Sequence, residues 1–186
     1  MAKKRILLHT CCAPCAVHIA ETLKNEYDVS LFFHNPQIFP AEEYAKRLLE
    51  TKKIRKILGL DVIEGNRDYD SWLAVVQGYE KEPEAGKRCL KCFEFNLKGT
   101  AEYAKMHGFD VFTTTLTISP HKNSRIINEI GRNLSKEHNI EFLEENFKKN
   151  DGFLKSIQKC KQHNIYRQNY CGCVYSLKSS IPSPNE

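Results

Sequence analysis

Apolar residues along this chain come in short bursts, separated by stretches in which they recur every third or fourth position. Ile6-Leu7-Leu8, within residues 5–9, is too short for a helix and unbroken by polar residues, the pattern of a strand covered on both faces. From about 14 to 24 the interval changes, and Ala16, Val17, Ile19, Ala20 and Leu23 line one side of a helix. A second strand is expected at 29–33 and a long helix at 41–58, introduced by Pro40 and stopped by Gly59. Residues 61–64 read as a third strand and 69–77 as a helix; the polar stretch 78–86 is then a loop that delivers Cys89. A helix over 92–107 closes at Gly108, and the β-branched run Thr113-Thr114-Thr115 places a strand at 111–116. A helix at 124–138, a short strand at 140–143 and a last helix at 152–163 complete the series.

Strands alternating with helices imply βαβ units with right-handed crossovers, hence an α/β fold with a mostly parallel, Rossmann-like sheet flanked by helices. At 186 residues the chain can build one ordinary core without covalent staples. No repeat or linker divides it, so residues 1–178 are expected to form a single domain, with the Ser- and Pro-rich residues 179–186 as a flexible tail. In sheets of this kind ligands bind at the carboxyl ends of the strands.

Composition sharpens this picture at one point. Of eight cysteines, seven stand in three tight clusters: Cys11-Cys12-Ala13-Pro14-Cys15, Cys89-x-x-Cys92 and Cys171-Gly172-Cys173. Cys160 stands apart and reads as a core thiol. The opening residues offer only a short apolar run after Lys3-Lys4-Arg5, unlike a secretory leader, and no segment approaches the ~20 apolar residues that span a bilayer. The expected setting is the cytoplasm, with no membrane partner. Thiols stay reduced there, so the clusters point to metal or redox chemistry rather than to a disulfide framework.

The first cluster follows the first strand and opens a helix, whose free N–H groups and dipole favour thiolate over thiol. Cys11 and Cys12 are expected to diverge at that turn, suiting two irons of one cluster better than one small ion. With Cys89 and Cys92 they make a Cys₄ set for a [4Fe–4S] cluster, and a sulfur-only set suits structural zinc as well. Cys12-Ala13-Pro14-Cys15 also imitates a thioredoxin-like dithiol, though that reading explains one cluster and leaves the five cysteines outside it idle. Cys15 is either an added ligand or a supporting buried thiol. Cys171-Gly172-Cys173 is a C-x-C pair whose small disulfide ring would be strained and easily opened, which suggests redox cycling; two further metal ligands is the plainer alternative.

Charge is less decisive. The net +5 is compatible with a polyanionic partner, and runs such as Lys46-Arg47 and Lys52-Lys53-Ile54-Arg55-Lys56 read first as solvated helix faces. In the segment from Phe147-Lys148-Lys149 to Phe153, aromatics bracket two lysines, a pattern that can stack on unpaired bases and hold phosphates. Neither G-x-G-x-x-G nor G-x-x-x-x-G-K-[ST] is present, so nothing argues for an adenine-nucleotide cofactor.

Five motifs stand in order: His9-Thr10-Cys11-Cys12-Ala13-Pro14-Cys15, Gly86-x-Arg88-Cys89-x-x-Cys92-Phe93, Thr114-Thr115-Leu116-x-x-Ser119-Pro120-x-Lys122, Phe147-Lys148-Lys149, and Tyr166-Arg167-Gln168-x-Tyr170-Cys171-Gly172-Cys173-x-Tyr175-Ser176. In this the chain resembles the cobalamin-independent epoxyqueuosine reductases, across nearly its whole length. It departs at Asn146, where the family often has an acidic residue, and at Asn96, where it often has Arg. The resemblance implies an oxidoreductase for the final step of queuosine biosynthesis, the two-electron deoxygenation of epoxyqueuosine to queuosine in tRNA. It further implies a [4Fe–4S] cluster on Cys11, Cys12, Cys89 and Cys92, a redox-active pair at Cys171 and Cys173, and an unidentified electron donor. An accessible iron of the cluster, or an additional iron, would hold the epoxide oxygen. Lys122, Lys148, Lys149 and Arg167 are expected to hold phosphates or the modified base, and His9, His34 or Tyr170 to supply a proton. The rivals are a zinc-stabilised RNA-binding module and a general dithiol oxidoreductase acting through Cys12 and Cys15.

Overall fold

The computed structural model describes residues 2–180, with side chains through 177. Five strands, β1 (Arg5–His9), β2 (Asp28–Phe33), β3 (Asp61–Glu64), β4 (Val111–Thr114) and β5 (Glu141–Phe142), form one sheet in the order β3-β2-β1-β4-β5. Every pairing is parallel. The first strand therefore lies in the middle, and the chain winds outward on one side before crossing to the other. That is the doubly wound arrangement expected of alternating strands and helices.

Alternation along β1 divides the core. Ile6 and Leu8 pack beneath α1 (Ala13–Leu23), α2 (Ala41–Leu58) and α6 (Gly152–Gln162), with Val17, Ile54 and Cys160 in the same cluster. Leu7 and Phe112 face the opposite layer, where α4 (Lys87–Met106) and α5 (Ser124–His138) contribute Leu97, Ala101, Ile127 and Leu134. Cys160 is buried in the first of these clusters, a packing thiol as expected. A smaller cluster joins α3 (Tyr69–Val75) to the last helix, α7 (Val174–Ser180): Trp72 and Val76 pack there against Cys173 and Tyr175.

Three departures from expectation bear on the site. The helix α4 starts at Lys87, ahead of the expected 92, so Cys89 is helical rather than carried on a loop. The fourth strand ends at Thr114, and Thr115–Ile118 turn into a single 3-10 turn capped by the Thr114 hydroxyl, which accepts from Leu116 N–H. A seventh helix, α7, follows the C-x-C pair and includes Ser179 and Ser180 of the expected tail; the rest of that tail lies outside the described residues. No helix among the described residues is long and apolar enough to cross a membrane.

Candidate active site

β1 and β4 end side by side, and the segments after them build the site. The centre is buried and hydrogen-bonded. Buried His9 at the end of β1 lies 2.9 Å from Thr114 Oγ1 through Nδ1 and 3.1 Å from the His34 carbonyl through Nε2. A carbonyl only accepts, so Nε2 carries the proton and Nδ1 accepts from the threonine. Burial, followed by the His34 charge, pushes the ring down to about 3, so it stays neutral. His34 is held down to about 4 by burial. Its ring lies between Gly65 and Gly99, where an added Cβ would come within 2.8 and 2.5 Å of its nitrogens. Neither histidine lines the cavity described below.

The turn after β1 makes Cys12 the N-cap of α1, extended at φ −171°, and puts Cys15 in the first turn. Among the described residues, Cys11, Cys12 and Cys15 form the one group of three or more metal-ligating side chains with all ligand atoms within 4.8 Å of one another. The vicinal pair does not diverge as expected. Cys11 and Cys12 straddle the bend from strand to helix, and their sulfurs converge to 3.8 Å. That separation matches the edge of a tetrahedron with ~2.3 Å metal–sulfur bonds. From the β4 side, Thr115 Oγ1 accepts from Cys11 N–H at 3.1 Å and donates to Cys11 Sγ at 3.3 Å. Hydrogen bonds from the Cys11 and Cys15 thiols hold Cys12 below the usual thiol range and raise those two donors in turn. Of the three, Cys12 is thus the one in which the thiolate is most favoured, and it sits at the helix N-terminus, where backbone N–H groups favour negative charge.

Cys89 and Cys92, three residues apart at the start of α4, share a helix side. Arg88 makes this possible: its buried guanidinium donates to the carbonyls of Tyr79 at 3.4 Å, Glu80 at 3.1 Å and Glu82, tying the preceding loop to the helix. Cys89 Sγ accepts from Ala85 N–H at 3.3 Å, and Cys92 Sγ receives Asn96 Nδ2 at 3.8 Å. Burial pushes both thiols up, and the nearby Cys171 adds to it.

The third cluster is fastened by α2. Arg47, read from sequence as part of a solvated face, is buried. It donates from Nη1 to the Cys171 carbonyl at 2.9 Å, from Nη2 to the Tyr170 carbonyl at 3.2 Å and from Nε to Glu43 at 2.7 Å. Phe39 N–H donates to the Gly172 carbonyl at 2.8 Å, and the Tyr170 hydroxyl donates to the Phe39 carbonyl at 2.6 Å. With its hydroxyl so engaged, Tyr170 is a weak candidate for a proton donor. Gly172 sits at φ +133°, in the half of backbone space that favours glycine, with Arg47 pressed against it. The pattern that marks Arg47 is its spacing on α2: Glu43, Arg47 and Glu50 recur at helical intervals, and Glu50 accepts from Tyr166 N–H at 3.0 Å.

A cavity of about 610 Å³ opens between these segments, with Cys11, Cys15, Cys92 and Cys171 on its wall beside Lys122 and Arg167. Cys89 borders a smaller adjoining pocket that also touches Cys171 and Lys122. All three cysteine clusters therefore reach one region, at the carboxyl ends of the strands. Cys12 and Cys173 stand behind the wall, and the expected ligand set of 11, 12, 89 and 92 is not a single compact group as the 11-12-15 triad is.

The expected substrate residues divide. Lys122 is half-buried on the cavity wall; burial works to lower its ammonium, but Cys171, Cys11, Cys15 and Cys12 around it outweigh that and raise it. Arg167 is exposed at the cavity, and Lys149 is exposed. Lys148 is already engaged, donating to the Lys122 carbonyl at 2.6 Å and so fixing the loop that carries Lys122. Phe147 and Phe153 are partly buried against the core, so they are not both free to stack on bases.

Similarity to known proteins fits this arrangement. The family model described as "Epoxyqueuosine reductase QueH" matches residues 6–179. Proteins of that description from three organisms align over most of both chains. The Streptococcus pyogenes protein is 41% identical over 93% of this chain and 70% of its own length. The Staphylococcus epidermidis protein is 38% identical over 96% and 79%. The Thermotoga maritima protein is 37% identical over 92% and 90%. With its five ordered motifs gathered at one end of a parallel sheet, the chain belongs to the epoxyqueuosine reductase QueH family.

Proposed function

We propose that this protein acts in the cytoplasm on tRNA, reducing epoxyqueuosine to queuosine as the final step of queuosine biosynthesis. The observation that carries the reading is the convergence of three cysteine clusters on one cavity that also holds a lysine ammonium. The epoxide takes up two electrons and two protons and leaves an alkene and water. Cys171 and Cys173 supply two electrons and two protons by closing a disulfide, which an external reductant, the unidentified donor, reopens. The thiols balance the step without cobalamin.

Cys11, Cys12, Cys89 and Cys92 are the proposed ligands of a [4Fe–4S] cluster, and the all-sulfur donor set fits it. When bound, such a group supplies a Lewis acid for the epoxide oxygen and a relay for electrons. The compact triad favours a second assignment that competes with this one, in which Cys11, Cys12 and Cys15 together hold iron at the start of α1. The chain's own part is more specific. Lys122 presents a positive charge and a proton to the oxygen as the C–O bond breaks, and Cys171 faces the same space. Arg167 and Lys149 hold tRNA phosphates at the mouth, and Lys148 acts by positioning the Lys122 loop.

Anaerobic purification with metal analysis and an absorption spectrum tests this. A brown protein containing iron, with Cys89→Ala losing both colour and deoxygenation, is the expected result. A colourless zinc protein that binds tRNA and leaves the epoxide intact would establish the binding-module reading instead. Disulfide reductase activity that survives loss of Cys89 and Cys92 would favour the general dithiol reading.

A further inference from the structure

We propose that Arg47 is a positioning residue that clamps the Cys171-Gly172-Cys173 segment in an open dithiol form and so resists closure of its disulfide. The inference rests on the redox role given to that pair above.

The clamp is visible as a set of contacts. One buried guanidinium holds the carbonyls of Tyr170 and Cys171, with Glu43 as its counter-charge. The Phe39 backbone holds Gly172 and the Tyr170 hydroxyl from the other side. Tyr166, whose hydroxyl lies 3.3 Å from a Glu43 oxygen, extends the same assembly. In the held conformation both thiols are free, and they face different surroundings. Cys171 borders both pockets, whereas Cys173 is buried with Trp72 and Val76, its Sγ 3.5 Å from Ser176 Oγ. On this proposal, joining them draws residues 170–173 out of these contacts. A contact set that stabilises the dithiol more than the disulfide makes the pair a stronger oxidant, because it raises the reduction potential. The step itself is Cys171–SH plus Cys173–SH giving S–S, with two electrons and two protons passing to glutathione disulfide, which becomes two glutathione thiols.

The experiment equilibrates the full-length protein, prepared anaerobically, in glutathione buffers of graded thiol-to-disulfide ratio, followed by acid quench, thiol trapping and tryptic digestion. Cleavage after Arg167 and Lys178 isolates a peptide whose only cysteines are Cys171 and Cys173. Its closed form is lighter by two hydrogens. Arg47→Met is expected to favour the closed form about tenfold, a fall in potential of about 30 mV. Arg47→Lys, whose ammonium reaches one carbonyl rather than two, should fall between. A shift under threefold, or one toward the dithiol, overturns the clamp. Should Arg47→Met lose its cooperative melt, Glu43→Gln is judged against the same threefold limit. If the unaltered protein never closes this disulfide at any ratio, the dithiol reading fails and takes the clamp with it; a wild-type disulfide that Arg47 does not influence removes the clamp alone.

Discussion

Gly172→Ala should be strongly destabilising, and its cost can be built from two parts. The backbone part comes from φ +133°, where an L side chain is strained by about 1–2 kcal/mol. The packing part comes from the new Cβ, which would lie 2.8 Å from Arg47 Nη1 and 3.3 Å from Ile38 Cγ1. The guanidinium cannot step aside freely, because Glu43 and two carbonyls hold it. Giving up one such charged hydrogen bond costs about 1.5–3 kcal/mol. The total is roughly 2.5–5 kcal/mol. Gly59→Ala is the matched control: Gly59 has φ +71° with nothing within 4 Å of an added Cβ, so only the backbone part applies. At ~2–4 °C per kcal/mol for a chain of this size, calorimetry should place Gly172→Ala well below the control in Tm. If residues 170–173 lift away without global melting, the loss appears instead as faster alkylation of Cys173, now buried. Should neither Tm nor Cys173 alkylation exceed the Gly59→Ala change, the close approach of Arg47 to Gly172 is wrong.

Three further outcomes follow from the site. Because burial lowers His9 to about 3, the stability gained by keeping it neutral is whole above pH 6.5 and drains away as pH falls toward 3. Between pH 7.5 and 5 the loss is about 2 kcal/mol from this group, read as a falling urea midpoint; a flat midpoint there would contradict it. Lys122→Met removes a cation that favours the Cys171 thiolate, so iodoacetamide should alkylate Cys171 several times more slowly in metal-free protein, with unchanged rates arguing against their proximity. Arg167→Ala and Lys149→Ala should each reduce the salt slope of tRNA binding by about one, measured by filter binding at several salt concentrations; unaltered slopes would move the phosphate path elsewhere.

The sheet and most helices were legible because period and punctuation agree: the continuous apolar run of β1 and the Gly59 stop, with Gly59 in the left-handed conformation, need no tertiary information. What escaped depends on partners distant in the chain. Residues 174–180 carry no strong apolar period, and α7 is helical because Cys173 and Tyr175 pack on Trp72. The basic pair Lys46-Arg47 divides in the fold, Lys46 lying 3.5 Å above the Tyr166 ring and Arg47 reaching carbonyls over a hundred residues away. The clusters were legible as chemistry from spacing alone. Their grouping was not, because the bend at the Cys12 N-cap, rather than helix spacing, brings Cys11 and Cys15 together.

The placement of β1 at the centre of the sheet, with β2 leaving to one side and β4 to the other, has an evolutionary consequence. The opening at their ends is a product of chain routing, since consecutive crossovers depart in opposite directions there. Side chains decorate that space without having created it. Exchanging wall residues should therefore alter which molecule is accepted while leaving room for one, so new selectivities can arise by single replacements without remaking the scaffold.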